Sequence, residues 1–227
     1  MVLPVYGAAP SFVITHGAWD YKERSNTMKF KQTLIAAMVA LAPMGAMAAG
    51  SVDVFYVNQD VDIEGAGKDD GDGFGIRAQA DLGQGISLSA SHQSADLDDN
   101  SANLKETRIG LSYGTALSGI NVGAGIEYVD FGIDVGGGAP DLSLDGYSLN
   151  VQASIAVVDN LNVYGKLAYT DVNDGDGMEY TVGALYSVNK QLGVFAEYRL
   201  ADLELDLGGG SADVDLDTLR VGVRYNF

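Results

Sequence analysis

The sequence contains no cysteine, which excludes a disulfide framework and any metal site built from thiolates. Basic residues are scarce: 13 Lys and Arg stand against 31 Asp and Glu, and the formal net charge is −18. No basic run interrupts this acidity, so we expect no nucleic-acid partner. The hydrophobic fraction of 47% is nevertheless that of a folded protein and not of a disordered chain.

Long apolar runs and prolines are scarce after Gly50. No segment there approaches the roughly 18 apolar residues that a membrane helix requires, and Pro140 is the only proline. A helical period of 3.6 residues is not sustained anywhere in this part of the chain. What recurs is alternation of apolar and polar residues with a period of two, which predicts strands.

The start of the chain has the pattern of an export signal. Residues 28–48 combine a short basic region, with Lys29 and Lys31, an apolar core and a small-x-small cleavage site. We predict a secretory signal peptide over this range, with the methionine that begins it as the true initiator. Residues 1–27 are then an upstream extension from a mis-assigned start, and the predicted mature protein is 49–227.

Ten alternating runs predict ten β-strands in the mature chain. They cover 52–63, 73–82, 86–97, 106–117, 120–134, 147–157, 161–170, 180–189, 192–206 and 218–227. Tight turns and longer loops rich in Asp and Gly alternate between the runs, which indicates an up-and-down antiparallel sheet. Eight strands are the alternative, because the first run and the loop ends are weakly defined.

An exported sheet of this kind can be a soluble barrel with its apolar face inward, or a membrane barrel with that face toward lipid. The strands' charged residues favour the second, because they fall on the polar face with nearly balanced sign, whereas the rest of the chain is strongly acidic. In a lumen such charges can pair, while an Arg near the lipid midplane would cost roughly 2–4 kcal/mol. The fold class we predict is therefore all-β, an antiparallel up-and-down transmembrane β-barrel. The predicted lumen charges are Arg77, Asp81, Arg108, Glu127, Lys166, Glu179, Glu197, Arg199, Arg220 and Arg224.

The length of the runs also fits a membrane barrel. The cleanest are 9–11 residues long, which suits a tilted strand crossing the hydrocarbon. In 120–135 and 192–207 the apolar residues change phase near the end of the run, as from Tyr198 and Leu200 to Leu203. We predict a β-bulge where each of these strands leaves the membrane.

Aromatic residues cluster near the ends of the runs. Two aromatic girdles are expected at the two interfaces of a membrane barrel, although the general preference of aromatics for strands is an alternative explanation. The girdle residues we predict are Phe74, Tyr147, Tyr169, Tyr180 and Tyr186.

The last residues read VGVRYNF, with Val221, Val223, Tyr225 and Phe227 on one face. This ending resembles the carboxy-terminal signature of bacterial outer-membrane proteins, and the mature chain resembles in its pattern the small OmpA-like and OmpX-like barrels. The resemblance implies the Gram-negative outer membrane as location, with its lipid and lipopolysaccharide as partners. It also implies that the last strand is the signal read by the barrel assembly machinery. Ten strands depart from the eight usual in that group.

No constellation of residues indicates catalysis, and we predict neither enzymatic activity nor a cofactor. His92, the single histidine of the mature chain, falls on the outward phase. Asp171, Asn173 and Asp176 form a weak calcium candidate, but Gly175 stands where the EF-hand spacing requires Asp or Asn. Asp-Gly turns explain these residues without a metal, and we expect diffuse attraction of divalent cations to the acidic loops.

Two functions remain open from the sequence. The first is a structural or surface-interaction protein, with a lumen plugged by paired charges and acidic loops at the cell surface. The second is a narrow porin-like channel for ions or small solutes through the same lumen. Electrical conductance distinguishes them, and detergent-free solubility would instead favour a soluble protein.

Overall fold

Each strand that the structure describes has two hydrogen-bonded neighbours, because the sheet closes on itself. The computed structural model describes residues 49–65, 67–98, 102–135, 142–206 and 210–227. Within them ten antiparallel strands form a closed barrel in up-and-down order, which confirms the predicted fold and the count of ten. The strands are β1 (Gly50–Ile63), β2 (Gly67–Gly83), β3 (Ile86–Leu97), β4 (Ala102–Leu117), β5 (Ile120–Val135), β6 (Leu142–Val158), β7 (Leu161–Val172), β8 (Gly175–Ser187), β9 (Leu192–Asp206) and β10 (Ser211–Asn226).

The predicted signal peptide and upstream extension lie outside the described residues. In the part of the chain that the structure describes, no helix is long and apolar enough to cross a membrane.

Closure joins the first strand to the last. β1 pairs with β10 from Ser51, opposite Asn226, to Ile63, opposite Val214. The backbone N–H of Phe227 donates to the carbonyl of Gly50 at 3.0 Å, so the pairing continues to the last residue. This pairing leaves neither strand with an open edge, as a sheet in lipid requires.

The two ends of the barrel have different connections. At one end, which we call the turn end, lie 84–85, 118–119, 159–160 and 188–191. The two-residue turn there between β4 and β5 has positive φ at both Ser118 (51°) and Gly119 (87°), as the twist of a tight hairpin requires. At the other end, the loop end, β1 is followed by β2, β3 by β4, β5 by β6, β7 by β8 and β9 by β10.

The described residues of the predicted acidic loops are mostly strand, which corrects that interpretation. β2 begins at Gly67, β6 at Leu142 and β10 at Ser211, each several residues before its predicted start. The segment KDDGDG, Lys68 to Gly73, pairs with β1 along its whole length. Asp and Gly are poor strand formers in isolation, but neighbouring strands override that preference by completing the backbone ladder.

The predicted bulges are absent from β5 and β9, where pairing with both neighbours runs without a register shift. The irregularities that the described pairs show lie at the turn end, between Asp81 and Gly83 and between Ala156 and Val158. Side chains of β9 therefore keep alternating inward and outward past Leu200. The backbone of β9 stays regular, and only the environment of its two faces changes toward the loop end.

The outer face of the barrel carries a wide belt of exposed apolar side chains. On β6 the outward positions include Leu149, Val151 and Ile155, all well exposed. Outward positions from 147 to 157 cover about 25 Å along the normal for a tilted strand, which is the height of the apolar band in outer-membrane barrels. The belt therefore matches the hydrocarbon thickness, and we take it as the lipid-facing surface.

Beyond the belt, toward the loop end, the polarity of the wall is reversed. Outward positions of β9 there are acidic (Asp202, Glu204 and Asp206), while the inward positions are Leu203 and Leu205. Inward residues of this region form a buried core that we call the apolar cap. Its members are Val61, Val129, Phe131, Leu144, Val172, Ala201, Leu203, Leu205, Val214 and Leu216. This end of the barrel is thus built like a soluble protein, with acid in water and hydrocarbon inside.

Candidate functional site

Below the apolar cap, at mid-height in the lumen, the strands direct charged side chains toward one another. Eleven of these residues are joined by ion pairs, and we call them the lumen network. It consists of Asp53, Arg77, Glu106, Arg108, Glu127, Lys166, Glu179, Glu197, Arg199, Arg220 and Arg224. Six cations thus meet five carboxylates in a space that the barrel wall separates from lipid.

Glu106 on β4 is at the centre of the lumen network. Arg199 reaches it from β9 across the lumen, with two guanidinium–carboxylate hydrogen bonds of 2.6 Å each. Arg108 donates to the same carboxylate, and Gln93 adds a hydrogen bond of 3.1 Å. The Glu106 and Arg199 side chains are only 3% and 2% exposed. Such paired, charge-assisted hydrogen bonds are among the strongest that side chains form.

Glu179 on β8 occupies the next position of the network. Both its carboxylate oxygens accept from Arg108 at 2.9 Å, and Thr170 donates a hydroxyl hydrogen bond. Arg199 lies 3.6 Å away. Arg108 therefore bridges Glu106 and Glu179, and each of these buried charges has an opposite charge beside it.

A second group of contacts continues the network toward β1 and β10. Glu197 accepts from Arg220 at 2.7 Å and from Arg77 at 3.2 Å. Asp53 accepts from Arg77 at 2.8 Å, and Arg224 holds both its oxygens at 2.7 and 2.8 Å. These residues come from β9, β10, β1 and β2, which are consecutive in the barrel, so this group of contacts holds the first and last strands of the chain together.

On the opposite wall, Lys166 donates to Glu127 at 3.2 Å, and Arg108 reaches the same carboxylate at 3.2 Å. Arg108 also lies over the ring of Phe131, with 5.6 Å between the guanidinium carbon and the ring centroid. A cation over an aromatic face is attracted by the ring quadrupole. Since Phe131 belongs to the apolar cap, this contact joins the charged layer to the apolar layer above it.

Glycines make room for the largest lumen side chains. Phe55 on β1 is buried between Gly75 and Gly222, its Cα partners on the two neighbouring strands. A Cβ at Gly222 would lie 2.6 Å from the Cβ of Phe55, closer than side chains approach. The abundance of glycine in the sequence thus has a packing reason inside the barrel as well as a role in turns.

The structure brings nine of the ten predicted lumen charges into the network and leaves out Asp81. That carboxylate is exposed at the turn end and accepts a hydrogen bond from the backbone N–H of Gly83 at 2.8 Å. The ladder between β2 and β3 becomes irregular between these two residues. Asp81 is the last residue of the regular pairing, opposite Ser87, so it keeps the face of Arg77 but lies at the turn end, away from the network.

Asp53 and Glu106 belong to the network but were missed in the sequence. Asp53 alternates with Val52 and Val54, and Glu106 precedes Arg108 by two residues, so both share the polar face of their strands. The alternation could therefore have identified both residues as inward. It gives no information on their height along the barrel, so they could not be told apart from the acidic residues near the loops.

Other predicted residues lie on the outer face. The girdle residues Phe74, Tyr147, Tyr169, Tyr180 and Tyr186 are all outward and exposed, as are Val221, Val223, Tyr225 and Phe227 of the last strand. His92 is also outward, and its Nδ1 lies 2.9 Å from the hydroxyl of Thr107. Their placement fits the predicted interfaces, while the role of the last strand in assembly remains a prediction.

The calcium candidate does not form a ligand cluster. Asp171 and Asp176 are opposite each other on β7 and β8, but Tyr169 donates to Asp176 at 2.9 Å. Asn173 donates its amide to Asp145 at 2.8 Å. Among the described residues no group of three or more His, Cys, Asp and Glu side chains is arranged to hold a metal ion.

The lumen below the network is open. A cavity of about 760 Å³ extends from the network to the turn end, where Asp159 and Asn160 form part of its rim. We call it the vestibule. Its walls carry amides and hydroxyls such as Gln152, Ser154 and Asn121. The lumen is therefore asymmetric, accessible from the turn end and filled toward the loop end.

A closed ten-stranded barrel with an apolar belt outside and a charged interior defines a transmembrane β-barrel. The family model for the outer membrane protein beta-barrel domain matches residues 34–227. The chain belongs to this family. No curated protein matches it.

Several solved structures resemble the chain at low identity. Neisserial surface protein A is 15% identical, with 79% of this chain and 99% of that chain covered and a TM-score of 0.47. The outer membrane protease OmpT from Escherichia coli is 11% identical over 80% and 97%, with a TM-score of 0.49. The KdgM porin is 16% identical over 77% and 99%, with a TM-score of 0.44.

Proposed function

We propose that this protein is a plugged barrel of the Gram-negative outer membrane, exported by the signal in 28–48, that acts as a structural or surface-interaction protein. The observation that carries the proposal is the filling of the lumen toward its loop end. Two layers lie one above the other there, the lumen network and the apolar cap. A solute would have to displace both to pass.

The charged layer supports closure because its side chains are long and mutually paired. A barrel of eight strands is just filled by side chains, and ten strands leave somewhat more space. Arg199 and Glu106 occupy that extra space by meeting across the lumen from β9 and β4. The apolar cap also supports closure of the lumen, because a layer of Leu, Val and Phe side chains is a barrier to ions.

A narrow channel is the second candidate, and the vestibule favours it. The vestibule supplies a water-accessible path over the turn-end part of the lumen. Conduction would require the network and the apolar cap to rearrange together. An enzymatic role is not part of either proposal, since each network carboxylate contacts a cation and His92 faces outward.

We expect the refolded protein to be electrically silent in planar bilayers, while heat-modifiable gel mobility shows that the barrel is folded. Arg224→Gln, at the vestibule, and Lys105→Gln, on the outer surface beyond the belt, are measured alongside as a matched pair. Discrete current steps in the unmodified protein, with an ion selectivity that Arg224→Gln changes and Lys105→Gln does not, would establish the channel and contradict the plug.

We also propose that the acidic outer surface at the loop end attracts divalent cations diffusely, and through them lipopolysaccharide. Asp60 on β1 lies between Asp70 on β2 and Asp217 on β10 in the strand register. Carboxylates directly opposite each other on neighbouring strands repel. Nearby, the hydrogen bond from Lys68 to Asp62 raises the pKa of Lys68, as expected beside so much negative charge. Cations that screen this surface would relieve the repulsion.

Asp60→Asn should therefore stabilise the protein in low salt without divalent ions, by about 0.2–1 kcal/mol for each relieved contact. It should also reduce the rise in unfolding temperature that Ca²⁺ produces, measured against NaCl of equal ionic strength. Asp159→Asn at the turn end is the matched control and should change neither quantity. An unchanged Ca²⁺ effect in Asp60→Asn would contradict screening at this surface.

A further inference from the structure

The vestibule is large enough to be a binding site. Its volume of about 760 Å³ lies within the range of pockets that enclose small ligands, roughly 300–1,000 Å³. It opens at the turn end and is bounded by the lumen network at its inner end. A ligand that entered would meet the network directly, with barrel wall on every other side.

The network does not present its two signs of charge equally to this cavity. All six cations line it, whereas Glu127 and Glu197 are the only network carboxylates that do. Exposure shows a partial asymmetry: the Arg77, Lys166 and Arg224 side chains are 19–23% exposed, against 15% for Glu127 and 4% or less for the other four carboxylates. The Arg108, Arg199 and Arg220 side chains are less exposed than Glu127. The ion pairs are thus oriented, with cations toward the vestibule and several carboxylates behind them. Glu106 and Glu179 are among those behind.

This orientation makes the inner end of the vestibule electropositive in a protein whose net charge is −18. Low-dielectric walls focus such a field and raise the local concentration of ions of the opposite sign. The network holds six cations and five carboxylates, so it has one excess positive charge. An added anion can therefore bind there without displacing a network carboxylate. Guanidinium groups in a cluster are well suited to oxygen anions, which they bind through paired N–H donors.

The walls near this end carry polar groups that suit the same kind of ligand. Gln152 on β6 is the Cα partner of Lys166 on β7, and both line the cavity. On the other side, Ser91 on β3 has Arg77 and Arg108 as Cα partners on its two neighbours. Amide and hydroxyl groups are thus placed beside cations, where they can bind the remaining oxygens of a polar anion.

We propose that the vestibule binds a small polyvalent oxyanion that enters from the turn end, a soluble molecule with two or more phosphate or carboxylate groups. Lys166, Arg77 and Arg224 are the cations most open to it. The amides and hydroxyls of the wall contribute hydrogen bonds. Binding of this kind does not require the lumen to conduct, so it stands independently of the plug.

Because the chain has no cysteine, a single introduced thiol reports on the vestibule without interference. Gln152→Cys places the thiol in the vestibule, and Ser143→Cys places it on the outer surface near the loop end of the same strand. Each variant is labelled with an anionic and with a cationic methanethiosulfonate reagent, and the two rates are expressed as a ratio. The ratio cancels differences in thiolate fraction between the two sites.

We expect the anionic-to-cationic rate ratio to be higher in Gln152→Cys than in Ser143→Cys by about tenfold or more, as focused fields change encounter rates by such factors. Pyrophosphate and citrate, at constant ionic strength, should then slow labelling of Gln152→Cys and leave Ser143→Cys unaffected. The probe that protects at lower concentration tells whether phosphate or carboxylate is preferred. Equal ratios in the two variants, or protection that NaCl reproduces, would overturn the proposal.

Lys166→Gln, combined with Gln152→Cys, tests the named cation. It should weaken protection by pyrophosphate about tenfold, the loss expected for one charge-assisted hydrogen bond. Lys105→Gln in the same background is the matched control and should leave protection unchanged. Heat-modifiable mobility shows that each variant is folded, and unchanged protection in the Lys166→Gln protein would show that the network cations do not bind the anion.

Discussion

Glu106→Gln is expected to lower the free energy of unfolding by about 3–5 kcal/mol, the cost of leaving a buried charge without its partner. Arg199 and Arg108 both donate to this carboxylate, and both are buried. An amide offers one acceptor oxygen, no charge and an NH₂ group that faces a guanidinium. The measurement is urea unfolding of the protein refolded in lipid vesicles, followed by gel mobility and circular dichroism.

Glu204→Gln is the matched control, because Glu204 lies on the exposed outer face of β9. It should change the free energy of unfolding by less than about 0.5 kcal/mol, as surface substitutions usually do. If Glu106→Gln differs from this control by no more than that amount, the network fills space without stabilising the barrel. The plug would then rest on the apolar cap alone.

Leu203→Ala is expected to cost about 2–5 kcal/mol, the range for removing a large aliphatic side chain from a packed core. Leu203 lies in the apolar cap, 3% exposed. Its loss leaves a cavity that its neighbours in the cap cannot fill completely. Urea unfolding measures the change, and a planar-bilayer recording of the same variant shows whether the cap contributes to closure.

Leu200→Ala, three residues earlier on the same strand, is the control for this substitution. Leu200 faces outward within the apolar belt. Lipid can fill the space that the shortened side chain leaves, so the cavity part of the cost is absent and the loss should be clearly smaller. Equal losses at the two positions would mean that Leu203 is not packed in a core and that the reversed polarity of this end is wrong.

The charged lumen was predictable to the extent that it follows from alternation. Arg77, Glu197 and Arg220 could be assigned to the inner face because neighbouring positions are apolar and the period is two. Asp81 satisfies the same rule and keeps that face, opposite Ser87, but it lies at the turn end and takes no part in the network. Alternation tells which side of a strand a residue takes, but not how high along the barrel it lies or which charges it meets there.

The phase change in 192–207 shows a second limit. In the sequence it looked like a bulge, because the apolar residues move to the other phase after Leu200. In the structure the alternation continues without a break. Glu197 and Leu203 both face inward, but Glu197 lies in the network and Leu203 in the apolar cap. A hydrophobic pattern gives the preferred environment of each residue, and only the fold shows where water, lipid and core lie.

By itself, the sequence determined the up-and-down order and the two faces of each strand, and it indicated ten strands with eight as the alternative, because these depend on local alternation and on turns between adjacent runs. The tertiary structure alone decided that Arg199 meets Glu106 across the lumen, 93 residues away on a strand that is not its neighbour. It also decided that the described parts of the acidic segments are strands and that the cavity in the lumen lies toward the turn end. These features depend on the register and closure of all ten strands together, which bring distant residues to the same height in a space that no single segment defines.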